Sequence, residues 1–204
     1  MTATAGMPVA WLVARAAGLV AFGLLTVSVW LGLAMSTRLL SPRRQKTLLG
    51  WHQTLVWTAV GMFALHGVAL MLDPTLGFRF LAVLVPGAAP WRPFAVAAGV
   101  TAGWLVLTLA VSFHVRRRIG QKRWRLFHYA TFGAFALALG HGLTAGSDLR
   151  GTTGLVAAAL ALGPVLWLTF ARILMPRTMA RPAPASGPAP PTRPAAETRP
   201  LVHA

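Results

Sequence analysis

The 204-residue sequence contains no cysteine, and Asp73, Asp148 and Glu197 are its only acidic residues. The absence of cysteine excludes a disulfide framework, an iron–sulfur cluster held by thiolates and a cysteine nucleophile. None of the acidic residues lies within a long apolar run, so the sequence offers no intramembrane carboxylates for a proton path. Charged residues make up only 11% of the chain, whereas a soluble domain carries about a quarter.

Hydrophobic residues account for 56% of the chain and are gathered into five long runs. A helix needs about 20 mainly apolar residues to cross a bilayer. We therefore predict an all-α fold, a polytopic membrane helical bundle with five transmembrane helices over residues 9–36, 48–72, 94–115, 126–144 and 152–174. The apolar segment FRFLAVLVPG is too short to cross, and we expect it to lie in the membrane interface or to dip back from it.

The basic residues give an orientation to this bundle. All but four of the 19 Lys and Arg follow the first, third or fifth span or end the fifth; the exceptions are Arg15, Arg79, Arg92 and Arg150. Because Lys and Arg accumulate on the cytoplasmic side of a membrane, we predict the N-terminus outside and the C-terminus in the cytoplasm, in a cell membrane of bacterial type. The same placement accounts for the formal charge of +16, so no nucleic-acid partner is predicted.

The two ends of the chain are predicted to lie outside the membrane domain of residues 9–174. Residues 1–8 form an extracytoplasmic N-terminus. Residues 175–204 are rich in Pro, Ala and Arg and cannot bury enough apolar surface to fold, so we expect a disordered cytoplasmic tail close to anionic membrane lipid. The connections between spans are too short for a flavin or nucleotide domain, and no glycine-rich phosphate-binding motif follows a strand.

Four of the six histidines lie in two of the apolar runs. His52 and His66 form the pattern H-x13-H in the second span, and His128 and His141 form the slightly shorter pattern H-x12-H in the fourth. With a rise of about 1.5 Å per residue, the members of each pair lie roughly 20 Å apart along their helix. Both spans run outward, so His52 shares a depth with His128, and His66 with His141. This arrangement predicts axial ligation of two stacked b-type haems, with iron held by one imidazole from each helix.

The two spacings differ in their helical phase. The spacing of His52 and His66 equals two heptads and returns to the same face in a left-handed bundle. The spacing of His128 and His141 is one residue shorter and falls short of that face by about 100°. Different side-chain rotamers or a local distortion of the fourth span are needed to absorb this offset.

Two arginines are candidates for contact with haem propionates. Arg15 interrupts the first apolar run near its outer end, where an arginine needs a partner, and Arg125 lies at the inner depth. Other readings of the intramembrane histidines stay open. They could join helices by hydrogen bonds, or they could form a proton or metal path in a transporter without a cofactor.

The histidine spacing resembles that of a known family. H-x13-H in one span, followed two spans later by H-x12-H, is similar to the ferric reductase-like transmembrane domain. That group includes the membrane part of NADPH oxidases and the haem-binding membrane subunit of the bacterial methionine-sulfoxide reductase system. The stretch SFHVRRRIGQKRWRLFHYATFGAFALALGHG resembles the family's basic loop and the W-x-x-L-H motif that follows it. Trp124, Phe127 and His128 hold this pattern, with Phe127 as the residue before the histidine.

The resemblance implies one-electron transfer across the membrane. By it, His52 and His128 would ligate the inner haem, and His66 and His141 the outer one. The chain lacks the flavin and nicotinamide domains of full-length reductases and is one span shorter than six-helix members, so it would be an oxidoreductase subunit. Its donor would be a separate flavoprotein or a membrane quinol, with flavin or quinone supplied only by that partner. The acceptor would be ferric iron, oxygen or an extracytoplasmic redox partner such as a sulfoxide reductase.

Overall fold

The computed structural model describes residues 9–37, 40–74, 77–146 and 151–174, and all the regular elements in these ranges are helices. They are α1 (Val9–Ser36), α2 (Pro42–Leu72), α3 (Phe80–Leu84), α4 (Pro93–Ile119), α5 (Gln121–His128), α6 (Ala130–Ala145) and α7 (Gly151–Leu174). The predicted N-terminal segment 1–8 and C-terminal tail 175–204 lie outside the described residues.

Four helices, α1, α2, α4 and α7, are long and apolar enough to cross a membrane. The chain is therefore an all-helical, multi-pass membrane protein. Large apolar side chains on their outer faces fit contact with lipid: Leu155 is 73% exposed and Trp167 is 69% exposed. The expected fourth span, residues 126–144, is divided at Tyr129 between α5 and α6. The 16 residues of α6 rise only about 24 Å.

Two helix boundaries differ from the expected ones for local reasons. The second long helix begins at Pro42, ahead of the predicted start at Leu48, because proline is well suited to the first turn of a helix, where its missing N–H needs no partner. The third continues through the basic residues to Ile119. It ends at Gly120, which adopts φ 89°, a conformation that glycine reaches without a steric penalty.

The long helices pack as two hairpins. In one hairpin α1 lies along α2, and in the other α4 lies along α6, with α7 against α1. Phe135 of α6 joins the two halves by packing with Val29 and Leu33 of α1 and with Ala161 and Val165 of α7. Over their described lengths, α2 and α6 do not pack closely against each other.

The apolar segment between α2 and α4 folds back onto the bundle. Its helix, α3, has five residues and is too short to cross, as expected. Phe78, Ala82 and Ala89 form a buried cluster there. The indole of Trp104 in α4 donates to the Leu84 carbonyl at 2.8 Å, which fixes the end of α3 against α4.

Candidate functional site

Four of the histidines form two pairs, one between α2 and the last residue of α5 and the other between α2 and α6. The ring centres of His52 and His128 are 6.3 Å apart, with planes at 71°. Those of His66 and His141 are also 6.3 Å apart, with planes at 83°. The order of the pairs shows that α2 and α6 run in the same direction. The imidazoles therefore face each other across the seam where the helices themselves do not pack.

Three of the four imidazoles have a fixed tautomer. The Nδ1 atoms of His52, His66 and His141 lie 2.9, 2.7 and 2.8 Å from backbone carbonyl oxygens. A carbonyl only accepts, so each Nδ1 carries the hydrogen and donates it. The Nε2 atom of each ring then keeps a free lone pair. Histidines that bind metals are held in this way by a carbonyl or carboxylate on the other ring nitrogen.

These carbonyls come from the neighbouring helix of the same hairpin. His52 and His66 of α2 donate to α1, at Ser28 and Ala14, and His141 of α6 donates to Ala95 of α4. The hydroxyl oxygen of Ser28 is also 2.9 Å from the His52 Nδ1 atom, and Ser28 is only 1% exposed. Each hairpin thus orients its own histidines from within.

A glycine lies one helical turn after each of these carbonyls. A Cβ at Gly18 would be 2.9 Å from the Nδ1 atom of His66, and one at Gly99 would be 2.6 Å from that of His141. At Gly32 it would be 3.6 Å from the Cε1 atom of His52. The missing side chains let the imidazoles reach the backbone. We call this arrangement, a carbonyl at position i and a glycine at i+4, the carbonyl–glycine contact.

The histidine spacing does not single out these glycines, because they lie on α1 and α4 and not on the helices that carry the histidines. On those helices, an added Cβ at Gly61, Gly133 or Gly140 would meet nothing within 4 Å, whereas one at Gly67 would contact Val83. A signal was available in α1. Gly18 and Gly32 are separated by two heptads, which is also the spacing of His52 and His66.

A local distortion at Tyr129 allows the shorter spacing of His128 and His141 to work. The amide of Tyr129 donates to the Leu126 carbonyl, and that of Phe132 donates to the Tyr129 carbonyl, both at 3.1 Å. These are i to i−3 bonds of the 3₁₀ type, in which each residue turns about 120° instead of about 100°. Each such residue recovers about 20° of the offset, and the imidazole of His128 meets that of His52.

His128 is held differently from the other three histidines. Its Nδ1 atom is buried and has no hydrogen-bond partner within the part of the chain that the structure describes. Its ring instead stacks on Trp124, with ring centres 4.9 Å apart and planes at 24°. The two pairs are therefore alike in spacing and unlike in support.

A cavity of about 220 Å³ opens beside the His66–His141 pair. It is bordered by α1, α2, α3, α4 and α6, and its lining is mainly apolar. Among its few polar side chains are Arg15, His66 and His141. The predicted Arg15 thus lines the same cavity as the second histidine pair, with its guanidinium 5.6 Å from the centre of the Trp11 ring.

The predicted Arg125 lies elsewhere. It is exposed in the last turn of α5, just before His128. It does not line the cavity, so the structure does not bring the two predicted arginines together. His114 is also exposed, and its ring lies 5.9 Å from that of Trp57 rather than against another histidine.

Comparison with known proteins yields no match: no family model, curated protein or solved structure is similar to this chain.

Proposed function

We propose that the chain carries electrons across a membrane through two b-type haems, one between His52 and His128 and the other between His66 and His141. The observation that carries this proposal is the equal spacing of the two pairs, 6.3 Å between ring centres. With about 2.0–2.1 Å from a metal to each imidazole nitrogen, and about 1.15 Å from that nitrogen to its ring centre, two axial imidazoles would have centres about 6.4 Å apart.

The number of ligands favours haem over a bare ion. Among the described residues, no group of three or more His, Asp or Glu side chains gathers around one point. Each site therefore offers two imidazoles, which leaves a bare metal ion under-coordinated. A porphyrin supplies the other four nitrogens, and haem iron supplies one-electron redox chemistry when bound. The mainly apolar cavity at His66 and His141 suits the macrocycle, and Arg15 would pair with a propionate there.

A five-span topology is part of the proposal. We infer that α6, with the end of α5, forms a fifth crossing, which puts the two termini on opposite sides of the membrane, and that the N-terminus lies outside and the C-terminus in the cytoplasm. The basic residues around the α4–α5 junction support this orientation, with Arg116, Arg117 and Arg118 in the last turn of α4. The His52–His128 pair is then the inner site, and the His66–His141 pair is the outer site.

The proposed direction of transfer is outward, in a cell membrane of bacterial type. The donor is a separate flavoprotein or a membrane quinol on the cytoplasmic side, and the acceptor is extracytoplasmic, such as ferric iron. This is the activity implied by the resemblance to the ferric reductase-like transmembrane domain. The alternative within the same class is the haem-binding membrane subunit of a methionine-sulfoxide reductase system. The two differ in the protein or ion that accepts the electron.

Haem content tests the proposal directly. The full chain, produced with haem available and purified from membranes, should contain two haems per polypeptide and show a reduced α-band. His66→Ala and His141→Ala should each reduce this ratio to one. His114→Ala is the matched control and should leave it at two, because His114 is exposed and outside both pairs. A transporter without a cofactor would show no haem in any of these proteins, and that result would reject the proposal.

A further inference from the structure

At the position in α4 where a carbonyl–glycine contact to His128 would need its glycine, the chain carries a different residue. The Ala95 carbonyl and Gly99 receive His141. His128 precedes His141 by 13 residues. Because α4 runs antiparallel to α6, the equivalent position in α4 lies 13 residues after Gly99, and the residue there is Ser112. Ser112 is buried and stands at the register position that glycine holds at the other three sites.

Ser112 instead anchors the aromatic residue that contacts His128. Its hydroxyl donates to the Leu109 carbonyl at 2.7 Å and accepts from the Trp124 Nε1 atom at 3.1 Å. The indole fixed in this way stacks on the His128 ring. A hydrogen bond to a carbonyl restrains the direction of an imidazole and raises its basicity as a ligand. A stacking contact restrains the ring plane without engaging either nitrogen.

We propose that His128 is the displaceable axial ligand of the chain, positioned by Trp124 and Ser112. The inner site would then accept a small neutral diatomic ligand in its place, whereas the outer site would not. This inference rests on the proposed function. The His66–His141 site is closed to such a ligand because both of its imidazoles are held by carbonyls on their Nδ1 atoms.

Carbon monoxide is the probe, applied to the purified, chemically reduced full chain. About half of the haem should bind it in the unsubstituted protein. In His66→Ala, which retains only the inner haem, the remaining haem should bind it fully. Binding by the outer haem, or by neither haem, would overturn the proposal. The haem content is measured before the gas is added, so a protein without haem counts against the proposed function instead.

Substitutions at Trp124 test its positioning role. Aromatic pairs contribute about 0.5–1.5 kcal/mol beyond area burial. Trp124→Leu should therefore lower the carbon monoxide concentration for half-binding by a factor of about 2 to 13. Trp57→Leu is the matched control, because Trp57 is also a tryptophan beside a histidine, but that histidine is the non-ligand His114. Equal carbon monoxide binding in the two variants would show that Trp124 does not restrain His128.

Two milder variants keep the test decisive if Trp124→Leu does not retain the inner haem. Trp124→Phe keeps a ring beside His128 and removes the indole N–H, and Ser112→Ala removes the acceptor of the same bond. Both should increase carbon monoxide binding by similar factors smaller than that expected for Trp124→Leu. If both bind carbon monoxide like the unsubstituted protein, the Ser112–Trp124 bond has no positioning role.

Discussion

The Nδ1 atom of His141 lies where only a glycine at position 99 allows it, since a Cβ there would be 2.6 Å away. Real Cβ atoms do not approach other atoms so closely, and the ring is also tied to the Ala95 carbonyl. We predict that Gly99→Ala will displace His141 and reduce the haem content from two to one. The haem-to-protein ratio and the amplitude of the reduced α-band measure this loss.

The other glycines supply graded controls. Gly18→Ala should behave like Gly99→Ala, because its Cβ would lie 2.9 Å from the Nδ1 atom of His66. Gly32→Ala should retain both haems, since 3.6 Å from His52 is an ordinary contact, and so should Gly133→Ala, which meets nothing within 4 Å. Loss of haem in all four variants would point to general destabilisation of the bundle instead of contact with the ligands.

Because of the 3₁₀ turn at Tyr129, the shorter spacing of His128 and His141 is needed for both rings to face α2. We predict that inserting one alanine after Tyr129 will remove the inner haem, although it makes this spacing equal to that of His52 and His66. The insertion turns His128 by about 100° relative to His141. One alanine inserted after the exposed Gly87, in the loop between α3 and α4, should leave both haems in place. Two haems in the first insertion variant would show that the turn does not set the phase.

Arg15 lines the cavity beside the outer histidine pair, and its loss should loosen the haem there. A hydrogen bond involving a charged group contributes about 1.5–3 kcal/mol, so Arg15→Gln should weaken outer-haem retention about ten- to hundredfold. Transfer of haem to an added haem-scavenging protein measures this change. Arg15→Lys should be intermediate because it keeps the charge and loses the planar fork. The inner haem should be transferred at the same rate in all three proteins.

The absence of cysteine makes the orientation easy to test. Gly87→Cys lies in the loop predicted outside, and Lys122→Cys lies in α5, predicted inside. In intact cells, a thiol reagent that cannot cross membranes should label the first variant and not the second, with both labelled after lysis. The reverse pattern would mean that the chain is oriented oppositely, with the His66–His141 pair facing the cytoplasm.

Hydropathy and charge were sufficient to predict the helical membrane bundle, because each long apolar run must satisfy its backbone hydrogen bonds internally. They did not place the division of the span at Tyr129, although the spacing of His128 and His141 called for a local distortion or a change of rotamer in this span. The similar spacings of His52 and His66 in one span and of His128 and His141 in another predicted that His52 would face His128 and that His66 would face His141. Their carbonyl partners were not predicted, because a backbone carbonyl is present at every residue and only the glycine spacing in α1 gives a signal for them.

The carbonyl–glycine contacts divide along the two hairpins, and this division bears on assembly. His52 and His66 take their support from α1, and His141 takes its support from α4, so neither half needs the other to aim these rings. Each hairpin could form these hydrogen bonds during synthesis, so that its imidazoles are oriented before the two hairpins meet. Binding of the proposed haems would then add a connection between the two hairpins along α2 and α6, which do not pack closely against each other.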